Sequence, residues 1–93
     1  MFKVNEYFDG KVKSIAFEDN QGPVTSGVME AGEYSFSTSS KELMIVVTGA
    51  LTIKRPDDTE WITFPARESF HVPAGVSFEV KVEQPTAYIC RYG

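Results

Sequence analysis

Short runs of strand-like patterning, punctuated by turn residues, account for nearly all of this chain, and no segment keeps a helical period over two turns. In 77–82, Phe78, Val80 and Val82 alternate with Ser77, Glu79 and Lys81, which predicts a strand with its polar set in water. Residues 33–38 alternate aromatic with small polar types and predict a strand with two unlike faces. Residues 42–48 are apolar on both faces, as in a strand covered on both sides. The same reading predicts strands at 7–18, 24–29, 50–55, 60–64, 69–73 and 86–92. Turn chemistry separates them: Asp19-Asn20-Gln21-Gly22-Pro23, Ala31-Gly32, Gly49, Pro56-Asp57-Asp58-Thr59, Ala74-Gly75 and Pro85. Short strands at this spacing mean an all-β sandwich or barrel. No repeat, low-complexity tract or boundary interrupts them, so residues 1–93 read as one domain.

Composition narrows the function. The net charge of −4 argues against a nucleic-acid partner, because a binder of phosphate backbones needs a basic face. The longest apolar run, Leu43 to Val47, is far too short to cross a bilayer, and Met1 to Glu6 lacks the apolar core of a signal peptide. One cysteine, Cys90, cannot form an internal disulfide. These features lead us to expect a cytoplasmic protein without a membrane partner.

Two stretches resemble the cupin motifs. The first cupin motif is G-x5-H-x-H-x(3,4)-E-x6-G. Here Gly32 is followed after five residues by Thr38, with Ser40 at the second histidine position, and six residues separate Glu42 from Gly49, although the spacer before the glutamate is shorter than the motif's. Pro73-Ala74-Gly75 fits the centre of the second motif, with Arg67 at its first glycine and Phe78 at its histidine. The turn residues survive and all three metal-binding histidines are gone. A cupin-type β-barrel (double-stranded β-helix, or jelly roll) without the metal is therefore expected.

The likeness extends further. Asn-Glu-Tyr-Phe-x-Gly-Lys-Val-Lys-Ser at 5–14, Gly-Val-Met-x-x-Gly-Glu-Tyr-x-Phe-Ser-Thr at 27–38, Gly-Ala-Leu at 49–51 and Tyr-x-Cys-Arg-Tyr at 88–92 resemble the bacterial pyrimidine/purine nucleoside phosphorylase family. The resemblance covers essentially the whole chain. It implies phosphorolysis of diverse purine and pyrimidine nucleosides to free base and ribose 1-phosphate, with inorganic phosphate as co-substrate, and a homodimer. Phosphate is an adequate nucleophile once positioned, so no metal or other cofactor is expected.

That chemistry needs groups for an anion, a ribose and a departing base. Arg91 offers a planar fork for phosphate, and its alternative is a pair with a surface or interface carboxylate. If Thr38 and Ser40 hold the old ligand positions, Tyr34 and Phe36 share their inward face. Thr38 and Ser40 could then bond ribose or phosphate, or instead cap a turn, the simpler account of Ser40. Tyr34 could stack on a base or be a core aromatic with a wet tip. Glu42 could accept ribose hydroxyls or protonate the leaving base, against a solvated residue paired with Lys41 or Arg67. His71 should face out beside inward Phe70 and Val72, and Cys90 reads as a small core residue. The expected site is thus Glu42 and Thr38 as catalytic groups, with Arg91, Tyr34 and Ser40 binding substrate.

The competing class is a non-catalytic cupin module that binds a nucleoside or sugar, since fold alone does not decide activity. Dimerisation has its own warrant. Leu43, Ile45 and Val47 alternate with Met44 and Val46, and a barrel this small cannot bury both sets alone.

Overall fold

The computed structural model describes residues 1–93 and contains ten strands: β1 (Lys3–Tyr7), β2 (Val12–Asp19), β3 (Gly22–Met29), β4 (Gly32–Ser37), β5 (Glu42–Thr48), β6 (Ala50–Lys54), β7 (Ile62–Pro65), β8 (Ser69–Val72), β9 (Ser77–Val82) and β10 (Thr86–Tyr92). Six make one antiparallel sheet in the order β1-β2-β3-β10-β5-β8, and four make a second, β4-β9-β6-β7. The sheets face each other as a jelly roll. No ladder of hydrogen bonds joins them, so the expected barrel is a sandwich with open edges. No helix of the chain is long and apolar enough to cross a membrane.

The expected strand over 7–18 is corrected. The chain folds back there as the β1–β2 hairpin, in register from Lys3↔Ala16 to Tyr7↔Val12. Gly10 N–H donates to the Tyr7 carbonyl (3.1 Å) and Lys11 N–H to the Phe8 carbonyl (3.2 Å). Phe8, Asp9 and Gly10 all take left-handed φ values of 55°, 58° and 84°. Asp-Gly is turn chemistry, and it breaks what polarity alone extends into one long strand. A left-handed Phe8 is unfavourable by itself. Its ring offsets the strain by packing on Tyr34 and Phe36, with centroids 5.0 and 5.5 Å away.

Cross-strand register sorts the six-stranded sheet into two faces. One inward row runs Ala16, Thr25, Cys90, Met44, Phe70, and the next runs Ser14, Gly27, Tyr88, Val46. Opposite them the four-stranded sheet contributes Tyr34, Leu51, Ile53, Phe78, Val80 and Val82, all buried. Each such side chain removed from water stabilises the fold by roughly 1.5–3 kcal/mol. Phe70 and Val72 point in and His71 out, and Phe78, Val80 and Val82 point in as their alternation predicts. The outward row Val4, Ile15, Ser26, Ile89, Ile45 is mostly apolar and only partly covered.

Candidate functional site

The core does not fill the sandwich. Between the sheets lies a cavity of about 410 Å³, lined by Tyr7 and Phe8 of the first hairpin, Ser14, Thr25 and Met29 of β2 and β3, Ser35, Phe36 and Ser37 of β4, Glu42 and Met44 of β5, Phe78 of β9, and Tyr88, Cys90 and Tyr92 of β10. It is largely aromatic and sulfur-rich, and Glu42 is its only carboxylate. None of its lining residues is Lys, Arg or His.

Register explains why the polar groups gather at one end. Tyr92 stands opposite Glu42 on the β10–β5 ladder, while Cys90 stands opposite Met44 there and Thr25 on the β3 side. Four polar side chains from three adjacent strands therefore project together into the cavity. The Cys90 thiol donates to Glu42 Oε1 (3.5 Å), and the Thr25 and Tyr92 hydroxyls share a hydrogen bond (2.9 Å). Burial raises the Glu42 carboxyl above its ordinary value, and the thiol hydrogen bond works against that rise. Burial also pushes the Cys90 thiol up to about 12, so it stays protonated and is no nucleophile at neutral pH. Burial raises Tyr92 as well and pushes Tyr88 up to about 12. The cavity thus holds one half-buried carboxylate among neutral donors and rings.

Tyr88 reaches its place because Gly27 has no side chain. A Cβ on Gly27 would lie 2.6 Å from both Cζ and Oη of Tyr88, a distance no packed structure tolerates. The ring occupies the space that any other residue at position 27 would fill.

Of the five expected site residues, only Glu42 lines this cavity. Thr38 shares the inward face with Tyr34 and Phe36, as parity predicts, but its hydroxyl is engaged by the 73–76 turn. It donates to the Pro73 carbonyl (2.7 Å) and accepts from Val76 N–H (3.1 Å). Tyr34 is buried, and its hydroxyl donates to the Glu30 carbonyl (2.6 Å). Ser40 is half-buried beside the start of β5. Arg91 lies on the outward face of β10, its guanidinium on the Asp19 carboxylate at 2.7 and 3.2 Å. That pair holds Asp19 below the usual carboxylate range and raises Arg91. Arg91 also lines an outer groove of about 270 Å³ with Lys41 and His71, and this groove shares Glu42 and Tyr92 with the cavity. Glu42 and Tyr92 thus form a wall common to both spaces.

The cupin metal does not fit. Thr38, Ser40 and Phe78 hold the positions of the motif histidines, and no three His, Cys, Asp or Glu side chains converge anywhere in the chain. Phe78 is instead a buried cavity wall.

The family model for pyrimidine/purine nucleoside phosphorylase matches residues 2–92. The chain belongs to the pyrimidine/purine nucleoside phosphorylase family. A relative from Pseudomonas fluorescens (strain Pf0-1) that bears this name is 61% identical over 92 residues, spanning 99% of this chain and 98% of its own. A relative of the same name from Pseudomonas aeruginosa (strain LESB58) is 59% identical and spans 99% of both chains. The solved structure of a Vibrio parahaemolyticus protein of unknown function is 45% identical, with a TM-score of 0.96 over 100% of this chain and 99% of that one. An RmlC-like cupin from Shewanella frigidimarina is 18% identical with a TM-score of 0.71, covering 96% of this chain and 80% of its own. That last likeness is one of fold: the jelly roll is cupin-like.

Within this family member, sequence reasoning passed over Tyr88, Cys90, Tyr92, Thr25 and Ser14 as cavity residues. A signal for three of them was present. Strand alternation in 86–92 sets Tyr88, Cys90 and Tyr92 on one face and Arg91 on the other, so a lumen facing the aromatic set cannot also face the arginine. Thr25 and Ser14 give no comparable sign, because their place depends on β2 and β3 lying next to β10.

Proposed function

We propose that the chain catalyses phosphorolysis of purine and pyrimidine nucleosides to free base and ribose 1-phosphate, with the nucleoside seated between the sheets. The observation that carries this reading is the lone half-buried carboxylate, Glu42, at the end of an aromatic cavity. Base and ribose fit that division of chemistry. The rings of Phe36, Phe78 and Tyr88 offer stacking faces, which any base accepts, and few groups that would select one base by hydrogen bonding. This agrees with the breadth implied by the names of the relatives.

Glu42 acts as the ionised acceptor of ribose hydroxyls. It also opposes the positive charge that grows on the sugar as the N-glycosidic bond breaks. The bonding electrons leave with the base, a phosphate oxygen forms the new bond to the anomeric carbon, and the proton that phosphate loses passes to the base. The cavity has no cation to hold that phosphate, and the groove that shares Glu42 and Tyr92 with it brings Lys41, His71 and Arg91. Arg91 would exchange Asp19 for phosphate, since a guanidinium binds either oxyanion in the same forked way. Positioning, not a cation cofactor, supplies the acceleration.

Two copies would pair through the outward face of the six-stranded sheet. Val4, Ile15, Val28 and Val47 are exposed there, with Ile45 and Ile89 between them. Light scattering at micromolar concentration should give twice the chain mass; a monomer mass removes the pairing.

The test of the reaction is base release from inosine and from uridine, with and without phosphate and with a chelator. Release of both bases only when phosphate is present, undiminished by chelation, is expected. Tight nucleoside binding without turnover would make the chain a binding module instead, and activity restored by a transition metal would overturn the metal-free mechanism.

A further inference from the structure

We propose that Cys90 is a positioning residue for Glu42: its thiol holds Oε1 and leaves the other carboxylate oxygen free for the ribose. This rests on the functional reading above and deepens it. The geometry comes from two rungs of one ladder. Glu42 pairs with Tyr92, and the next inward position on β10 is Cys90, so the thiol reaches Glu42 diagonally along the sheet at 3.5 Å.

The direction of the hydrogen bond is fixed by the charge. An ionised carboxylate has no proton to give, so the thiol is the donor and Glu42 Oε1 the acceptor. Because burial keeps Cys90 protonated across the physiological range, the donor is always present. Among the groups packed around Glu42, Cys90, Tyr92 and Tyr88 come from β10. The flanking strand β8 offers inward Val72, with His71 exposed on its other face, and β4 and β9 contribute Ser35, Phe36, Ser37 and Phe78 across the cavity. Lys41 precedes Glu42 in the chain and is exposed. Cys90 is the side chain hydrogen-bonded to the carboxylate.

The consequence has a definite sign. A donor to the ionised carboxylate favours ionisation, so removing it raises the protonation midpoint of Glu42 and moves the acid limb of the rate profile to higher pH. The test is a 13C NMR titration of the Glu42 side-chain carboxyl, with kcat/KM against pH, in the wild type, Cys90→Ala, Cys90→Ser and Glu42→Gln. Cys90→Ala should raise both midpoints by about half a pH unit or more, while Cys90→Ser, which keeps a donor, should restore most of the shift. Dispersed NMR spectra establish that each variant is folded. An inactive Glu42→Gln enzyme combined with an unmoved Cys90→Ala midpoint overturns the positioning role alone. A Glu42→Gln enzyme that keeps its activity overturns the functional reading, and the positioning role falls with it.

Discussion

Strand β10 carries two faces with opposite contents. Tyr88, Cys90 and Tyr92 point between the sheets, where they meet Glu42, Thr25 and Gly27. Ala87, Ile89 and Arg91 point outward, where Arg91 is held by Asp19 and Ile89 joins an apolar row. The inner face has a carboxylate and no cation, and the outer groove has the cations. Phosphorolysis needs both. On the proposed reading the difference divides the labour: the sugar and base would take the inner face, and the anion the outer groove that shares Glu42 and Tyr92 with it.

The division breaks most sharply at Glu42. Replacing it with Gln keeps the size and removes the charge, and kcat/KM should fall by roughly a hundredfold or more in a phosphate-coupled base-release assay. The same variant should melt higher at neutral pH. Burial raises the Glu42 midpoint in the folded state, so the native carboxyl costs stability as pH rises past its ordinary value and is relieved of that cost in acid. Activity and stability would thus move in opposite directions, as expected of a buried functional charge. A lower melting temperature would count against burial of the charge.

Gly27→Ala attacks the inner face without touching a polar group. The added Cβ collides with Tyr88, and we expect a stability loss of about 1–3 kcal/mol by denaturant titration together with a clear fall in kcat. Full activity and stability would mean that Tyr88 can leave its place at no cost. On the outer face, Arg91→Ala should raise KM for phosphate about tenfold while kcat at saturating phosphate and the melting temperature change little. An unchanged phosphate KM removes Arg91 from the anion site and leaves it as the partner of Asp19. The smallest effect on chemistry is expected at Thr38. Thr38→Val should lower stability by about 1–3 kcal/mol, since Val76 N–H and the Pro73 carbonyl lose their partner, and should leave kcat/KM within about twofold. A large loss of kcat/KM in a folded Thr38→Val would return Thr38 to the site.

How far the sequence spoke depends on which physical rule each feature obeys. Period-two alternation gives β9 its observed ends at 77–82, and turn residues that bound apolar runs give β5 at 42–48 and β10 at 86–92, because these are local constraints. The first hairpin was lost where Asp9-Gly10 interrupts a polarity pattern that otherwise runs on, and where Phe8 accepts a left-handed backbone for the sake of contacts with β4. Glu42 was legible from its place in the motif. The guanidinium fork of Arg91 suits an anion, and the parity of its strand sets that fork on the outer face. Thr38 and Tyr34 face inward as expected, but the Pro73, Val76 and Glu30 backbone groups that occupy their hydroxyls are brought there by tertiary packing. The polar cluster around Cys90 needed the strand order β3-β10-β5, which no local pattern states.

The most direct measurement is a crystal structure with a slowly reacting nucleoside bound. The account predicts its base between the aromatic walls and its ribose hydroxyls within hydrogen-bonding distance of Glu42. A nucleoside seated in the outer groove against Arg91, with the space between the sheets closed to it, would contradict the account.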